Sequence, residues 1–188
     1  MVRFDIPYKT DGVYGTRFQG VGLVVDAERG LVICDRDTVP VTLGDVQLTF
    51  GGSVDIPGRV VALHPTQNMA LLQYDPSLLG SSLVSSLTIR DAPLKKGDKV
   101  SVVGVRQNGQ ISVRDTTVAT VEPYTFPKGK VPFFRQTNQE VVQVLDGVRI
   151  LGGVLADKKG RALAMWSSFP NIADKKSPGW FLGIPSAA

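Results

Sequence analysis

Apolar residues in this chain fall in short runs rich in valine and isoleucine, broken by glycine, proline, asparagine or aspartate. No stretch sustains the i, i+3, i+4 spacing of an amphipathic helix over three turns. "FQGVGLVVDAERGLVICD" holds two such runs, Val21–Val25 and Leu31–Cys34, joined by a turn at Asp26–Gly30. "DVQLTF" alternates, with Val46, Leu48 and Phe50 on one face. "IPGRVVALHPTQNMALLQYD" reads as a strand over Arg59–Leu63, a proline-containing bend, and a strand over Met69–Tyr74. Strand patterning resumes at Val100–Val105 and Ile111–Val121, flanking an Asn108-Gly109 pair that is the strongest short hairpin signal in the chain. "VVQVL", "GGVLAD", "KKGRALAMW" and "GWFLGIP" follow. Short strands with turn signals between them, in two similar halves, predict an all-β protein built as two barrels or a sandwich. The Ser- and Leu-richer stretch around Pro76–Pro93 is the natural connector. It gives an N-terminal unit over 1–80, a connector over 81–98 and a C-terminal unit over 99–188.

Composition excludes several function classes. Of 188 residues, 43% are apolar and 20% charged, so a packed core is expected rather than bulk disorder. The net charge is +4, and its lysines come as short scattered pairs (Lys95-Lys96, Lys128 and Lys130, Lys158-Lys159, Lys175-Lys176) beside turn residues. That pattern argues against a nucleic-acid surface, which needs Lys, Arg and aromatics interleaved on one face. Cys34 is the single cysteine, which rules out an internal disulfide. No apolar run approaches the roughly 18 residues of a membrane helix, and "MVRFDIPYKT" has no signal-peptide core, so a soluble intracellular protein without a membrane span is expected. A Met leading straight into a strand-like segment is expected of a domain cut from a longer chain. GxGxxG, GxxxxGK, CxxC and HExxH are all absent, and no cofactor or metal is expected. Asp35 and Asp37 could be read with Asn68 as a cation site, but a charged turn explains them better, since calcium takes roughly six to eight oxygen ligands. Cys34, in an apolar run, reads as a small core residue.

The order of "GVGLVVDAERGLVICDRDTVP", "HPTQNMALLQYD", "LGGVLADKKGRALAMW" and "GWFLGIP" resembles the HtrA/Deg family of trypsin-like serine proteases. The resemblance implies two antiparallel six-stranded β-barrels with the active site in the cleft between them. It also implies where the catalytic residues should stand. The family's Gly-x-x-x-Thr-x-x-His-Val-Val is matched by Gly30 through Val39, which puts Asp37 at the histidine position. The family's Asp-(Leu/Ile)-Ala-Leu-Leu is matched by Asn68, Met69, Ala70, Leu71 and Leu72, which puts Asn68 at the aspartate position. The Gly-Asn-Ser-Gly-Gly-Pro-Leu of the nucleophile loop is matched by Arg149 through Leu155, which puts Leu151 at the serine and Arg149 at an oxyanion-hole glycine. Acyl transfer needs a nucleophile, a base and a group to orient the base. None of the three is present, and the one histidine, His64, is out of register and reads as a loop residue.

The phrases "VRFDIPYKTDGVYGTRFQGVGLVVDAERG", "DRDTVPVTLGDVQLTF" and "FRQTNQEVVQVLD" are similar to the second, degenerate protease domain of the tandem HtrA proteins of fungi and plants. The resemblance implies a non-catalytic domain that serves assembly, with itself (a trimer favoured) and with neighbouring protease and PDZ domains. It also implies a nuclear or chloroplast setting, depending on lineage. Ile150 and Leu151 could fill the old cleft, each buried side chain contributing roughly 1.5–3 kcal/mol. Phe4, Tyr8, Tyr14 and Phe18 could make a subunit contact or pack within a barrel. The alternative is a peptide-binding module that uses a vestigial groove without cutting. Ile150, Gly152, Gly153 and the pocket-strand residues Trp180, Phe181, Leu182 and Gly183 would line that groove, and the peptide would add as a strand.

Overall fold

The structure is a computed structural model that describes residues 1–10, 13, 15–125, 139–169 and 179–186. Tyr14 and the pairs Lys128/Lys130 and Lys175/Lys176 lie outside the described residues. The described chain is almost entirely β, and it divides into two compact units. Met1–His64 and Met69–Leu87 form the first, and Pro65–Asn68 joins Thr88–Ala188 in the second. No helix among the described residues is long and apolar enough to cross a membrane.

Seven strands build the first unit: β1 (Val2–Asp5), β2 (Arg17–Gly20), β3 (Leu23–Asp26), β4 (Leu31–Cys34), β5 (Asp45–Phe50), β6 (Val54–Leu63) and β7 (Ala70–Tyr74). They are ordered β2-β1-β5-β6-β7-β4-β3 in one antiparallel sheet. The two edge strands, β2 and β3, are consecutive in the chain and separated only by Val21 and Gly22. The sheet therefore returns covalently on itself, and β2 with β3 acts as one bent strand. Gly22 makes that bend fit, because a Cβ there would run into the Val32 and Val2 side chains. In place of the expected closed six-stranded barrel, the first unit is a seven-stranded half-barrel sheet whose hydrogen-bonded ladder is open between β2 and β3. Alternation sets its core: Val2 and Phe4 of β1, Val46 and Leu48 of β5, and Leu72 of β7 are buried together. Phe18 tilts against Phe4 at 6.5 Å between ring centroids, so these two aromatics pack within the unit, whereas Tyr8 is 73% exposed.

The second unit is a closed six-stranded barrel, β10-β13-β12-β11-β8-β9. Its strands are β8 (Lys99–Val105), β9 (Ile111–Tyr124), β10 (Gln139–Val144), β11 (Gly153–Ala156), β12 (Ala162–Phe169) and β13 (Trp180–Pro185). Closure leaves no full-length unpaired edge strand. Val100, Val102, Val118, Val142, Leu155 and Trp166 fill the interior. Gly183 must be small there, since a Cβ would press on Leu155, Val142 and Ala164.

One local reading needs correction. The strand expected over Arg59–Leu63 begins at Val54 and runs through Pro57, whose partner is Gln47. The Asn108-Gly109 hairpin has the expected bounds: Val105 pairs with Ile111 across five residues, and Gly109 takes positive φ (+81°). The Asn108 side chain accepts from the Gln110 N–H at 3.1 Å, which stabilises the loop without a left-handed asparagine.

The β11–β12 hairpin is fixed by Asp157. Its Oδ1 accepts from the Lys159 and Arg161 N–H groups (2.8 and 3.0 Å), and its Oδ2 lies 2.7 Å from Arg161 Nη2 and 3.7 Å from Arg90 Nη1. These donors, the Arg161 N–H foremost, lower the Asp157 pKa to about 2. An unfolded aspartate titrates near 3.9. The stabilising contribution is therefore present above about pH 4 and lost as pH falls toward 2. Thermal midpoints of the parent and Asp157→Asn should differ at pH 7 and converge over that window. A difference unchanged down to pH 2 would contradict the assignment.

Candidate functional site

Residues 145–152 form a loop in which burial alternates as in an extended strand. Val148 and Ile150 are buried, while Arg149 between them is exposed. Gly152 then takes φ +145°, a conformation that L side chains rarely adopt, and turns the chain into β11.

Three contacts hold this loop to the barrel. The Trp166 Nε1–H donates to the Val148 carbonyl at 3.2 Å from a ring that is 1% exposed. Ile150 reaches over Gly104 of β8, where its Cδ1 and the Gly152 carbonyl occupy the space a Cβ would need. The backbone completes the attachment. The Leu151 N–H donates to the Val105 carbonyl at 2.8 Å, and the Val105 N–H donates to the Gly152 carbonyl at 3.3 Å. Two loop residues thus oppose one residue of β8, just past the Gly153–Gly104 register pair. Gly153 is confined as well, because a Cβ there would collide with the Val103 carbonyl.

The chemistry of this arrangement is limited. Leu151 offers no nucleophilic atom, and its side chain is half-buried. Its N–H, which an acyl-transfer site would aim at a developing oxyanion, is engaged by Val105. Arg149 projects outward.

Asn68 belongs to the second unit and is 1% exposed. Its Nδ2 donates to the Ser168 carbonyl on β12 at 2.7 Å. An aspartate cannot make that bond, because it would set an anion against a carbonyl oxygen. Asn68→Asp should therefore destabilise the fold by about 1–3 kcal/mol in urea unfolding. An unchanged midpoint would show that the amide is dispensable.

Asp37 lies in the first unit, half-buried in the turn that follows β4. That turn is organised by Asp35, which is 5% exposed. Its Oδ1 accepts from the Thr38 N–H (2.8 Å) and Oγ1–H (2.6 Å). Arg36 Nη1 donates to the His64 carbonyl at 3.0 Å, and the His64 N–H donates to the Met69 carbonyl, closing the bend before β7. Among the described residues no group of three or more His, Cys, Asp or Glu stands together as metal ligands. Cys34 is fully buried, and burial, reinforced by the Asp35 charge, pushes its thiol well above the usual range.

The residues expected to line a pocket divide by depth. Trp180 and Phe181 of β13 are half-buried, Phe181 against the barrel core, and Leu182 and Gly183 are buried. Trp180 stacks obliquely against Tyr124, with centroids 6.3 Å apart. Sequence reading missed Gly104, Val105 and Trp166 as partners of the loop that carries Leu151. The available signal was Gly104 inside a valine-rich strand, since glycine in a strand marks a close approach of another backbone.

No protein-family model matches the chain. It is 40% identical over 167 residues to the pro-apoptotic serine protease NMA111 of Yarrowia lipolytica, a match covering 87% of this chain and 17% of that protein. It is 35% identical over 167 residues to the PDZ domain-containing protein C23G3.12c of Schizosaccharomyces pombe, covering 88% of this chain and 17% of that protein. The chain thus spans about a sixth of the length of these curated relatives. Among solved structures, the HtrA-type protease AlgW with tripeptide superposes with a TM-score of 0.69 at 14% identity, covering 98% of this chain and 55% of that one. At that identity the likeness is one of fold: the described β architecture is that of the trypsin-like proteases.

Proposed function

Given that this chain belongs to the HtrA/Deg family of trypsin-like serine proteases, we propose that it is a catalytically silent protease-like domain. Its role is assembly within a longer tandem protein whose proteolysis resides in another domain. One observation carries the reading: at the nucleophile position the side chain is leucine and the backbone N–H is bound to Val105. The loss is therefore of nucleophile and oxyanion donor together. Asp37 and Asn68 at the other two positions remove the base and its orienting carboxylate. The length of the relatives, one of them a PDZ domain-containing protein, supports the view that this domain works beside others. Without chemistry, what such a domain offers is its surface, and the reading assigns that surface to subunit contact, as a trimer of this chain and as a docking face for neighbouring protease and PDZ domains.

A second reading draws on half-buried Trp180 and Phe181: a peptide could lie along β13 without being cut. The AlgW structure contains a tripeptide. Ile150 and Gly152, which that reading expects to line the groove, are buried against β8, which disfavours it.

The reading is tested with Leu151→Ser. A serine hydroxyl alone restores neither base nor oxyanion donor, so neither casein cleavage nor labelling by a fluorophosphonate probe is expected. Cleavage by that variant would overturn the assignment of Leu151 and the silent reading with it.

A further inference from the structure

A separate groove lies wholly within the first unit, where β6 and β7 meet the short 3-10 turn Pro76–Leu79. Its volume is about 480 Å³, within the range of roughly 300–1,000 Å³ typical of ligand pockets. Pro57, Pro76 and Leu78 give it apolar lining, and Leu78 is 49% exposed and so accessible to a ligand. Arg59 and Arg29 supply the cations.

The two arginines are differently placed. Arg29 stands 3.7 Å from the Asp26 carboxylate and is partly neutralised by it. Arg59 is held instead by a neutral group: its Nη2 donates to Gln73 Oε1, and Gln73 Nε2 donates in turn to the Arg29 carbonyl at 3.1 Å. Among the described residues no carboxylate stands within ion-pair distance of Arg59. A guanidinium fixed by an amide keeps its full charge and most of its five donors, in a geometry suited to a carboxylate. Ordering it beforehand reduces what binding must cost in side-chain entropy.

We propose that this groove docks an extended peptide that presents one carboxylate to Arg59 and an aliphatic side chain to Pro57, Pro76 and Leu78. Charge complementarity selects the anion and the apolar lining selects a peptide over a polyanion. Asp75, also in the groove, reinforces the second choice. Hydrogen bonds from Ser77 lower its pKa, so it stays charged and repels a second acidic group. Two cations without a repeating basic stripe or stacking aromatics do not make a nucleic-acid track. The site is independent of the silent protease loop and stands whether or not that reading does.

The test uses the 188-residue chain and fluorescence anisotropy with three labelled probes. They are a short leucine- and proline-rich peptide carrying one glutamate, its glutamine counterpart, and a single-stranded oligothymidylate. The glutamate peptide should bind saturably, and replacing its glutamate with glutamine should weaken it at least tenfold. Arg59→Gln should weaken the glutamate peptide by a similar factor while barely affecting the glutamine peptide. Leu78→Ser should weaken both peptides. Both substitutions are at exposed positions and should leave the thermal midpoint unchanged. Equal affinity for the two peptides overturns the proposal, as does Arg59→Gln binding like the parent, or no saturable binding up to about 1 mM. Tighter Arg59-dependent binding of oligothymidylate overturns it in favour of nucleic acid. Loss of binding in Trp180→Ser but not in Arg59→Gln overturns it by assigning the peptide to the second unit.

Discussion

Trp166→Ala should lower the stability of the chain by about 3–5 kcal/mol, the range for emptying a buried indole site. The ring is almost wholly enclosed in the second barrel's core, and its Nε1–H satisfies the Val148 carbonyl. Trp166→Phe separates the two contributions. It keeps most of the apolar volume and leaves the Val148 carbonyl without its indole donor, for which about 1–3 kcal/mol is expected. Urea unfolding followed by circular dichroism measures both. Trp166→Ala within 1 kcal/mol of the parent, a bound set by these same magnitudes, would show that the indole does not fasten the loop.

The second large effect is at Gly104. A methyl group there meets the Gly152 carbonyl and Ile150 Cδ1, so Gly104→Ala must push the loop off β8. Overpacking of this kind costs about 1–3 kcal/mol, and more where backbone rather than side chain must move. The local consequence is sharper than the global one. In the parent the Leu151 amide is hydrogen-bonded to Val105 and should be protected from hydrogen exchange. In Gly104→Ala that protection should fall well below that of neighbouring β8 amides. An equally protected Leu151 amide in both proteins would mean that the loop is held by something other than its seat on β8.

Which parts of this were legible in the sequence follows from the range of the forces involved. Strand alternation is local, so β4, β5 and β8 could be read directly: Val46 and Leu48 point inward, as do Val100 and Val102. The three positions proposed as substituted catalytic ones, Asp37, Asn68 and Leu151, are likewise read from short frames of neighbours. What could not be read depends on contacts distant in the chain. Pro57 sits inside β6 opposite Gln47, one residue before β6 begins to pair with β7, and the local pattern carries no mark of that. The direction of the Leu151 N–H is set by β8, which precedes it by more than forty residues, and no side chain reports it. The closure of the first sheet through Gly22 is of the same kind: the bend is visible as glycine, its meaning only as Val2 and Val32 on either side.

Assembly is the central claim, and solution mass tests it most directly. Light scattering on a sizing column, across a concentration series of the 188-residue chain, should give three times the 20.2 kDa chain mass. A mass of one chain at every concentration would contradict assembly through this domain.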